Sequence, residues 1–264
     1  MVVRTALPSG RSLVSVAVAT WAAYNHWGGY SAYSGPDGAL ASRSYEVSLD
    51  RPLDAKGLSV VLAYEYPAAT FIDRVLPDAA WTTGLDVALG RTSLTRVRQY
   101  VSTGHDEYWP VAQRRAVEAA RDRGTNLFFM GANAVYWRIR LADGPAGPDR
   151  HLVVYKDGAL DPQKDSASTS AKFRDAPRPQ PETELMGVMF TCYPSTGDFV
   201  VRDPEFWAFA GTGVAQGTRF AHLASRETDQ VVPGSPVPAR TRIVAHSRVT
   251  CPGGIPPRWS DDES

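Results

Sequence analysis

The chain has 264 residues, 43% of them hydrophobic and 21% charged, and its 28 basic and 28 acidic side chains give a formal charge of zero. This balance argues against a dedicated nucleic-acid binder, which carries a basic surplus to neutralise phosphates, and the composition argues against disorder. No apolar run approaches the roughly 20 residues that a membrane helix requires. We therefore expect a soluble, cytoplasmic protein with one large domain and with neither nucleic acid nor membrane as a partner.

The first part of the chain predicts strands separated by helices. Residues 12–19 have the nearly continuous apolar character of a strand buried on both faces. The segment 21–33 that follows is too aromatic for a solvated loop and too broken by glycine for a helix. Further along, the pattern favours an edge strand at 44–49, a helix at 68–76 and strands at 80–87 and 96–102.

The clearest helix follows at 110–123. Pro110 suits its first turn, alanines form a small apolar stripe along it, and Gly124 stands at the expected C′ position. A buried strand is predicted at 126–130. A strand, a helix and a strand in succession, with continuous apolar strands, indicate an α/β fold with a mainly parallel sheet.

Beyond residue 140 the pattern loosens. It predicts a strand at 151–155, a polar surface excursion at 161–184, a core strand at 185–191, a short helix at 204–213, a strand at 241–246 and a frayed tail from about residue 252. Cys192 is interpreted as a core or rim thiol, although one disulfide with Cys251 stays an open alternative.

Two segments with unusual chemistry follow neighbouring strands. They are the run His-Asp-Glu-Tyr-Trp at 105–109 and Gly-Ala-Asn at 131–133. In an open parallel sheet, ligands bind beyond the carboxyl ends of the strands, so both segments are candidates for a site. A structural alternative stays open, in which Asp106 and Glu107 only cap the helix that Pro110 opens.

Several standard sites are absent from the sequence. It contains neither a Gly-x-Ser-x-Gly elbow nor a phosphate-loop pattern. Neither cysteine lies at a strand-to-helix turn, so the nucleophile of a glutamine-amidotransferase-like hydrolase is missing. The five histidines show no paired metal spacing, which disfavours a zinc hydrolase.

A family resemblance rests on segments that occur in a fixed order. These are Trp21-Ala-Ala-Tyr-Asn-His-Trp-Gly-Gly, Glu65-Tyr-Pro, Gly104-His-Asp-Glu-Tyr-Trp, Gly131-Ala-Asn-Ala-Val-Tyr-Trp-Arg, Pro181-Glu-Thr-Glu-Leu-Met-Gly-Val-Met and Phe206-Trp-Ala-Phe-Ala-Gly-Thr-Gly. Over residues 14–213 the chain resembles the C-terminal catalytic domain of the N,N-dimethylformamidase large (beta) subunit. The resemblance implies a three-layer, glutamine-amidotransferase-like α/β fold with long loop insertions. It also implies hydrolysis of small N-substituted formamides at a mononuclear iron held by two tyrosines and one glutamate.

Carried over to this sequence, the resemblance implies a set of metal ligands. Tyr108 would be one ligand, Tyr66 the second, with Tyr64 as its alternative, and Glu182 the carboxylate, with Glu184 as its alternative. Phenolate and carboxylate are hard anionic donors, and three of them would neutralise Fe³⁺ while leaving positions for water and substrate.

The same resemblance implies Lewis-acid hydrolysis, in which an acid/base group delivers a proton to the departing amine. Glu107 and His105 are the candidates for that group, and Asn133 could donate to the developing oxyanion. Each has a structural alternative: Glu107 as a solvated cap, His105 as a loop-orienting residue, and Asn133, where this alternative is preferred, as the cap of a short helix at 134.

The implied partners are a small amide substrate, a small subunit and a second copy of the chain. Family members are usually longer on both sides, so we expect residues 1–264 to form a single domain that is incomplete at both ends. The competing hypothesis is a truncated, non-catalytic domain of the same fold that binds a ligand or partner.

Overall fold

The computed structural model describes residues 11–164 and 167–252, and the chain divides into two compact units, one ending at Glu182 and the other beginning at Thr183. The prediction of one domain over 1–264 stays a prediction. The strands are β1 (Ser12–Val16), β2 (Glu46–Ser48), β3 (Ala80–Thr83), β4 (Gln99–Ser102), β5 (Tyr108–Pro110), β6 (Asn126–Phe129), β7 (Trp137–Gly144), β8 (Gly147–Val153), β9 (Met189–Val200), β10 (Arg219–Gln230) and β11 (Val249–Thr250). The helices are α1 (Val18–Tyr24), α2 (Ala55–Val60), α3 (Tyr66–Val75), α4 (Gly84–Ala88), α5 (Val111–Asp122) and α6 (Thr183–Met186).

A parallel sheet forms the core of the first unit. Its strand order is β3-β1-β4-β6, and every neighbouring pair is parallel. The central strand β1 buries Leu13 and Val14 completely, as expected of an apolar strand between two others. The predicted α/β class is therefore confirmed, whereas the glutamine-amidotransferase-like topology stays a prediction.

A second, mixed sheet contains Tyr108 of the candidate segment 105–109. Its order is β2-β8-β7-β5, in which β7 and β8 form an antiparallel hairpin and β5 runs parallel to β7. Tyr108 on β5 pairs with Trp137 on β7. This pairing brings the segment 105–109 beside the segment that follows β6.

Two predicted strands end early because helices begin inside them. The strand predicted at 12–19 stops at Val16, and α1 begins at Val18. The prediction that the segment 21–33 is too broken by glycine for a helix is wrong for residues 21–24, because the glycines at 28 and 29 come only after α1. The strand predicted at 80–87 stops at Thr83, whose hydroxyl accepts a hydrogen bond from the Asp86 N–H at 3.0 Å and caps α4. A side-chain cap satisfies a free N–H of the first helical turn, which favours the helix locally.

The prediction that 161–184 is a surface excursion is right only for residues 162–164 and 176–179, which are exposed. Asp161, Phe173 and Glu182 in this segment are fully buried. Asp161 accepts hydrogen bonds from the Arg140 guanidinium at 2.5 and 3.0 Å, and from the Ser170 N–H at 2.6 Å. These two carboxylates are buried in a polar segment because each is paired with an arginine, Asp161 with Arg140 and Glu182 with Arg174.

The second unit is built on the long antiparallel pair of β9 and β10, with β11 beside β9. Cys192 and Cys251 form a disulfide, so the interpretation of Cys192 as a free thiol is wrong and the alternative bridge is present. The helix predicted at 204–213 is reduced to a 3₁₀ turn, Trp207–Phe209. The strand predicted at 241–246 is reduced to one bridge, between Ala245 and Val201.

The frayed tail predicted from residue 252 falls almost wholly outside the described residues, which end there. Within the part of the chain that the structure describes, every helix is too short or too polar to cross a membrane.

Candidate active site

A buried carboxylate, Glu107, stands at the centre of the site. Only 3% of the residue is exposed. Its oxygens accept hydrogen bonds from the Tyr33 hydroxyl at 2.9 and 3.0 Å, the Trp137 indole N–H at 2.9 Å and the Tyr24 hydroxyl at 3.2 Å. The Asn133 amide donates from 3.4 Å. The alternative of Glu107 as a solvated cap is therefore wrong.

Charged neighbours keep Glu107 ionised. Burial by itself raises the pKa of Glu107, but the hydrogen bond and positive charge of His105, the Lys156 ammonium and the Tyr33 hydroxyl outweigh it and hold that pKa below its ordinary value. His105 Nε2 lies 3.3 Å from Glu107 Oε2 and 3.3 Å from the Tyr24 oxygen. Carboxylate, imidazole and phenol thus form one chain of proton-exchanging groups.

Two close backbone approaches place the Glu107 loop. Gly104 has φ +62°, and a Cβ there would overlap the Glu65 carboxyl group, while a Cβ at Gly131 would overlap the carbonyl oxygen of Gly104. The Glu107 N–H also donates to the Thr20 hydroxyl at 3.1 Å, which ties the loop to α1. Glycine is therefore required at 131, where two backbones meet, and it suits 104, where φ is positive and the Glu65 side chain lies close.

Two further carboxyl groups near Glu107, those of Glu65 and Asp106, are also buried. Glu65 accepts hydrogen bonds from the Ala17 N–H at 3.0 Å and the Thr103 hydroxyl at 2.6 Å, and burial raises its pKa. Asp106 accepts from the Ser102 hydroxyl at 2.7 Å. Burial raises the pKa of Asp106 to about 7, and the Glu65 charge adds to this rise. Asp106 therefore titrates near neutrality.

Asp106 and Glu107 do not cap α5. The residue at the N-cap of that helix is Pro110, and no side chain donates or accepts a capping hydrogen bond there. The capping alternative for the pair is wrong because both carboxyl groups point into buried polar contacts instead.

Tyrosine rings surround His105. The rings of Tyr24 and Tyr64 lie 5.9 and 5.4 Å from the His105 ring, and the Tyr24 ring lies 4.4 Å from that of Tyr33. Tyr33 also meets Tyr108 edge-on at 6.4 Å. Burial, and then the Glu107 charge, raise the pKa of Tyr33 well above its usual range, so Tyr33 stays a protonated donor.

The structure brings together His105, Glu107, Tyr108 and Asn133 from the sequence prediction. Asn133 does not cap a helix, because residues 131–135 form turns, and its side chain contacts Glu107. Of the two tyrosines in the segment 64–66, it is Tyr64 that packs on His105, while 64% of Tyr66 is exposed at the start of α3.

Glu182 has different surroundings. It is completely buried, and its oxygens accept hydrogen bonds from Arg174 Nη2 at 2.8 Å and Arg174 Nε at 3.1 Å. Arg174 in turn lies over the Tyr136 ring, 5.0 Å from its centroid. Burial raises the pKa of Glu182, and Arg174 opposes that rise. The alternative carboxylate, Glu184, lies in the first turn of α6 in the second unit.

Sequence reasoning missed Tyr33, Glu65 and Lys156. Burial lowers the pKa of Lys156 to about 7, although the Glu107 charge opposes this. Its Nζ lies 3.1 Å from the ring centroid of Tyr33. One signal was visible: the 28 basic residues of the chain include only four lysines, so a lysine just beyond the strand predicted at 151–155 stands out. No comparable signal marks Tyr33 within an aromatic segment.

Oxygen donors suited to a metal ion are present around His105. Within residues 11–164 and 167–252, no group of three His, Cys, Asp or Glu side chains could hold a metal. The rings of Tyr24 and Tyr64 nevertheless lie within 5.9 Å of the His105 ring, and a Glu107 carboxylate oxygen lies 3.3 Å from His105 Nε2. Two phenolates and a carboxylate carry three negative charges, which fits the hard-ligand preference of Fe³⁺. The assignment of Tyr66, Tyr108 and Glu182 as ligands stays a prediction.

A family model described as "N,N-dimethylformamidase beta subunit-like, C-terminal" matches residues 1–263. Comparison with curated proteins finds no match.

Proposed function

The chain belongs to the family of N,N-dimethylformamidase beta subunit-like C-terminal domains, and on that premise we propose that it hydrolyses small N-substituted formamides with the help of an iron ion. One observation carries the proposal. A buried, ionised Glu107 is met within 3.3 Å by the hydroxyls of Tyr24 and Tyr33 and by His105 Nε2. This arrangement gathers one anionic oxygen donor, two phenol oxygens and a proton carrier at one point.

We assign Tyr24, Tyr64 and Glu107 as the residues that would hold the iron, because these phenols and this carboxylate share His105 as a neighbour. When bound there, iron supplies Lewis-acid activation of the amide carbonyl and of water. The sequence-predicted set of Tyr66, Tyr108 and Glu182 is the alternative that the experiment below tests.

The chain's own groups manage the protons. In amide hydrolysis, water adds to the acyl carbon and loses a proton, and the C–N bond breaks as the amine nitrogen gains one. His105 is the group that carries this proton, since the Glu107 carboxylate 3.3 Å from its Nε2 stabilises the imidazolium. Glu107 itself stays ionised and serves as a charge partner rather than as the acid. Asn133 and Tyr33 hold its oxygens in place.

The test combines metal analysis with a product assay. Purified protein should contain iron, show a tyrosinate-to-iron charge-transfer band and release formate from N,N-dimethylformamide. Tyr24→Phe and Tyr64→Phe should each lower the iron content and weaken the band, whereas Tyr66→Phe, the matched control on the same helical segment, should leave both unchanged. Loss of iron in Tyr66→Phe and Glu182→Gln but not in Tyr64→Phe would support the sequence-predicted ligands instead. Protein without iron and without formate release would refute the proposal.

A further inference from the structure

Arg51, in the connection between β2 and α2, binds backbone carbonyl oxygens with its whole guanidinium group. The acceptors are Ser48 at 3.3 Å, Asn25 at 3.0 Å, Trp27 at 2.9 Å, Tyr30 at 2.7 Å and Ala22 at 3.2 Å. A guanidinium presents its N–H donors in a rigid planar fork. The hydrogen-bonding capacity of Arg51 is therefore used on the main chain.

Most of these carbonyls come from residues 22–30, which contain the end of α1 and the 3₁₀ turn Trp27–Gly29. The last carbonyl groups of a helix lack donors within the helix, and a positive charge near them is favourable. Arg51 supplies both, since its Nη2 donates to Ala22 in the last turn of α1 and to Asn25 just after it. One side chain thus fixes the path of the backbone where it leaves α1.

The Asn25 side chain joins the same two parts of the chain. Its amide donates to the Pro52 carbonyl oxygen at 2.9 Å, and its oxygen accepts from the Asp54 N–H at 2.9 Å. Asp54 is the N-cap of α2, which continues into the π-helical turn that carries Tyr64. The connection 48–54 therefore ties α1 to the helical run that contains Tyr64.

The segment 22–33 also brings two phenols to Glu107. Tyr24 is the last residue of α1, and Tyr33 lies beyond the 3₁₀ turn. The Tyr24 hydroxyl lies 3.2 Å from Glu107, and the Tyr33 hydroxyl lies 2.9 Å from Glu107 and 3.0 Å from the Tyr24 hydroxyl. O–H···O hydrogen bonds favour a separation of about 2.8 Å, so a backbone shift of about 1 Å breaks these contacts.

We propose that Arg51 is a positioning residue for the candidate active site: by fixing residues 22–30 it holds the phenols of Tyr24 and Tyr33 against Glu107. The inference rests on the proposed function in one respect, because Tyr24 is assigned there to the iron. Arg51 acts through the backbone and not on the reacting atoms. Residues that orient metal ligands indirectly contribute about 10–100-fold to metal affinity, so loss of the Arg51 fork should weaken iron binding within that range.

The direct test follows the two phenols by NMR of the full chain with isotope-labelled tyrosine rings, after a chelator has removed iron. Tyr24→Phe and Tyr33→Phe assign the two signals. Arg51→Met keeps most of the aliphatic stem and removes the fork. This variant should shift and broaden both tyrosine signals, because the segment 22–33 then samples several paths.

Arg150→Met is the matched control. Arg150 also binds the connection 48–54, but through the Asp50 carboxylate, at 2.9 Å, and this variant should keep both tyrosine signals of the wild type. Iron affinity, measured by competition with a chelator, should fall at least about tenfold in Arg51→Met and stay unchanged in Arg150→Met. Circular dichroism confirms that the compared variants are folded.

Unshifted Tyr24 and Tyr33 signals in folded Arg51→Met, or equal shifts in Arg150→Met, would overturn the inference. If Arg51→Met does not fold, Arg51→Lys takes its place, since lysine keeps the charge at the end of α1 but offers one ammonium instead of a fork. Unshifted signals in that variant would overturn the inference equally. Shifted signals, in a protein whose wild type neither binds iron nor hydrolyses N,N-dimethylformamide, would support the inference and overturn the proposed function.

Discussion

Glu107 and Glu182 are both buried carboxylates of the first unit, but their partners differ in kind. Glu107 is held by two phenols, an indole, an amide and an imidazole. Glu182 is held by the Arg174 guanidinium through both of its oxygens. The first set of partners includes an imidazole, which can exchange a proton near neutral pH, whereas a guanidinium keeps its charge at any ordinary pH.

Two more arginines near Glu182 bind the backbone of the segment that contains it. Arg114 and Arg138 lie on the Phe173 ring, with guanidinium carbons 4.9 and 5.0 Å from its centroid. Both arginines donate to backbone carbonyls of the segment 173–181. Permanent charges bound to backbone fix the path of a segment that has no regular secondary structure of its own. The kind of partner, more than burial alone, therefore separates a carboxylate fixed in an ion pair from one that lies beside phenols and an imidazole.

The largest expected effect comes from breaking the Glu182 pair. Arg174→Met leaves the Glu182 carboxylate buried without its counter-ion, which should lower the free energy of unfolding by about 3–5 kcal/mol. Urea denaturation followed by circular dichroism measures the change. Arg121→Met, which removes a more exposed pair with Asp122, should cost less than about 1 kcal/mol. Equal small losses in both variants would show that the Glu182 pair is not structural.

Replacing Glu107 or Glu182 by glutamine tests whether the two carboxylates differ in role as they differ in partners. If the proposed function is right, Glu107→Gln should lower kcat/KM for N,N-dimethylformamide by about 100-fold or more, because it removes the charge that would hold iron and the His105 proton. Its fold should persist, since glutamine still accepts hydrogen bonds from Tyr33 and Trp137. Glu182→Gln should show the opposite pattern, with reduced stability and nearly normal kcat/KM per folded molecule. Identical losses of activity would contradict the division of roles.

The smallest effect concerns the second guanidinium pair, Asp161 with Arg140. Burial raises the pKa of Asp161, but the hydrogen bonds from Arg140 and from the backbone N–H groups of Ser170 and Gln163 outweigh it and lower that pKa. A depressed pKa stabilises the fold above the unfolded value of about 4, and the stabilisation is lost as pH falls through the folded value. The stability gap between wild type and Asp161→Asn, about 1–2 kcal/mol at pH 6, should therefore shrink by pH 3 in urea titrations. A gap independent of pH would contradict this assignment.

Local patterns predicted the elements where hydrophobic continuity and punctuation agree. Helix α5, bounded by Pro110 and Gly124, and strand β6 lie within two residues of their predicted bounds. The prediction failed where polar composition hides burial, as in the segment 161–184, because ion pairs with Arg140 and Arg174 are invisible in a local window. It also failed at α4, where one threonine cap decided between strand and helix.

The amino-acid sequence by itself determined the α/β class and the family, and it pointed to the loop of His105, Glu107 and Tyr108, because apolar periodicity and short motifs are local properties. Only the tertiary structure decided which distant side chains meet that loop. Tyr24, Tyr33, Tyr64 and Lys156 reach it from other elements, and Tyr66, two residues beyond Tyr64, lies exposed. Long-range proximity depends on how strands pair and helices pack, and no single segment of the chain encodes that.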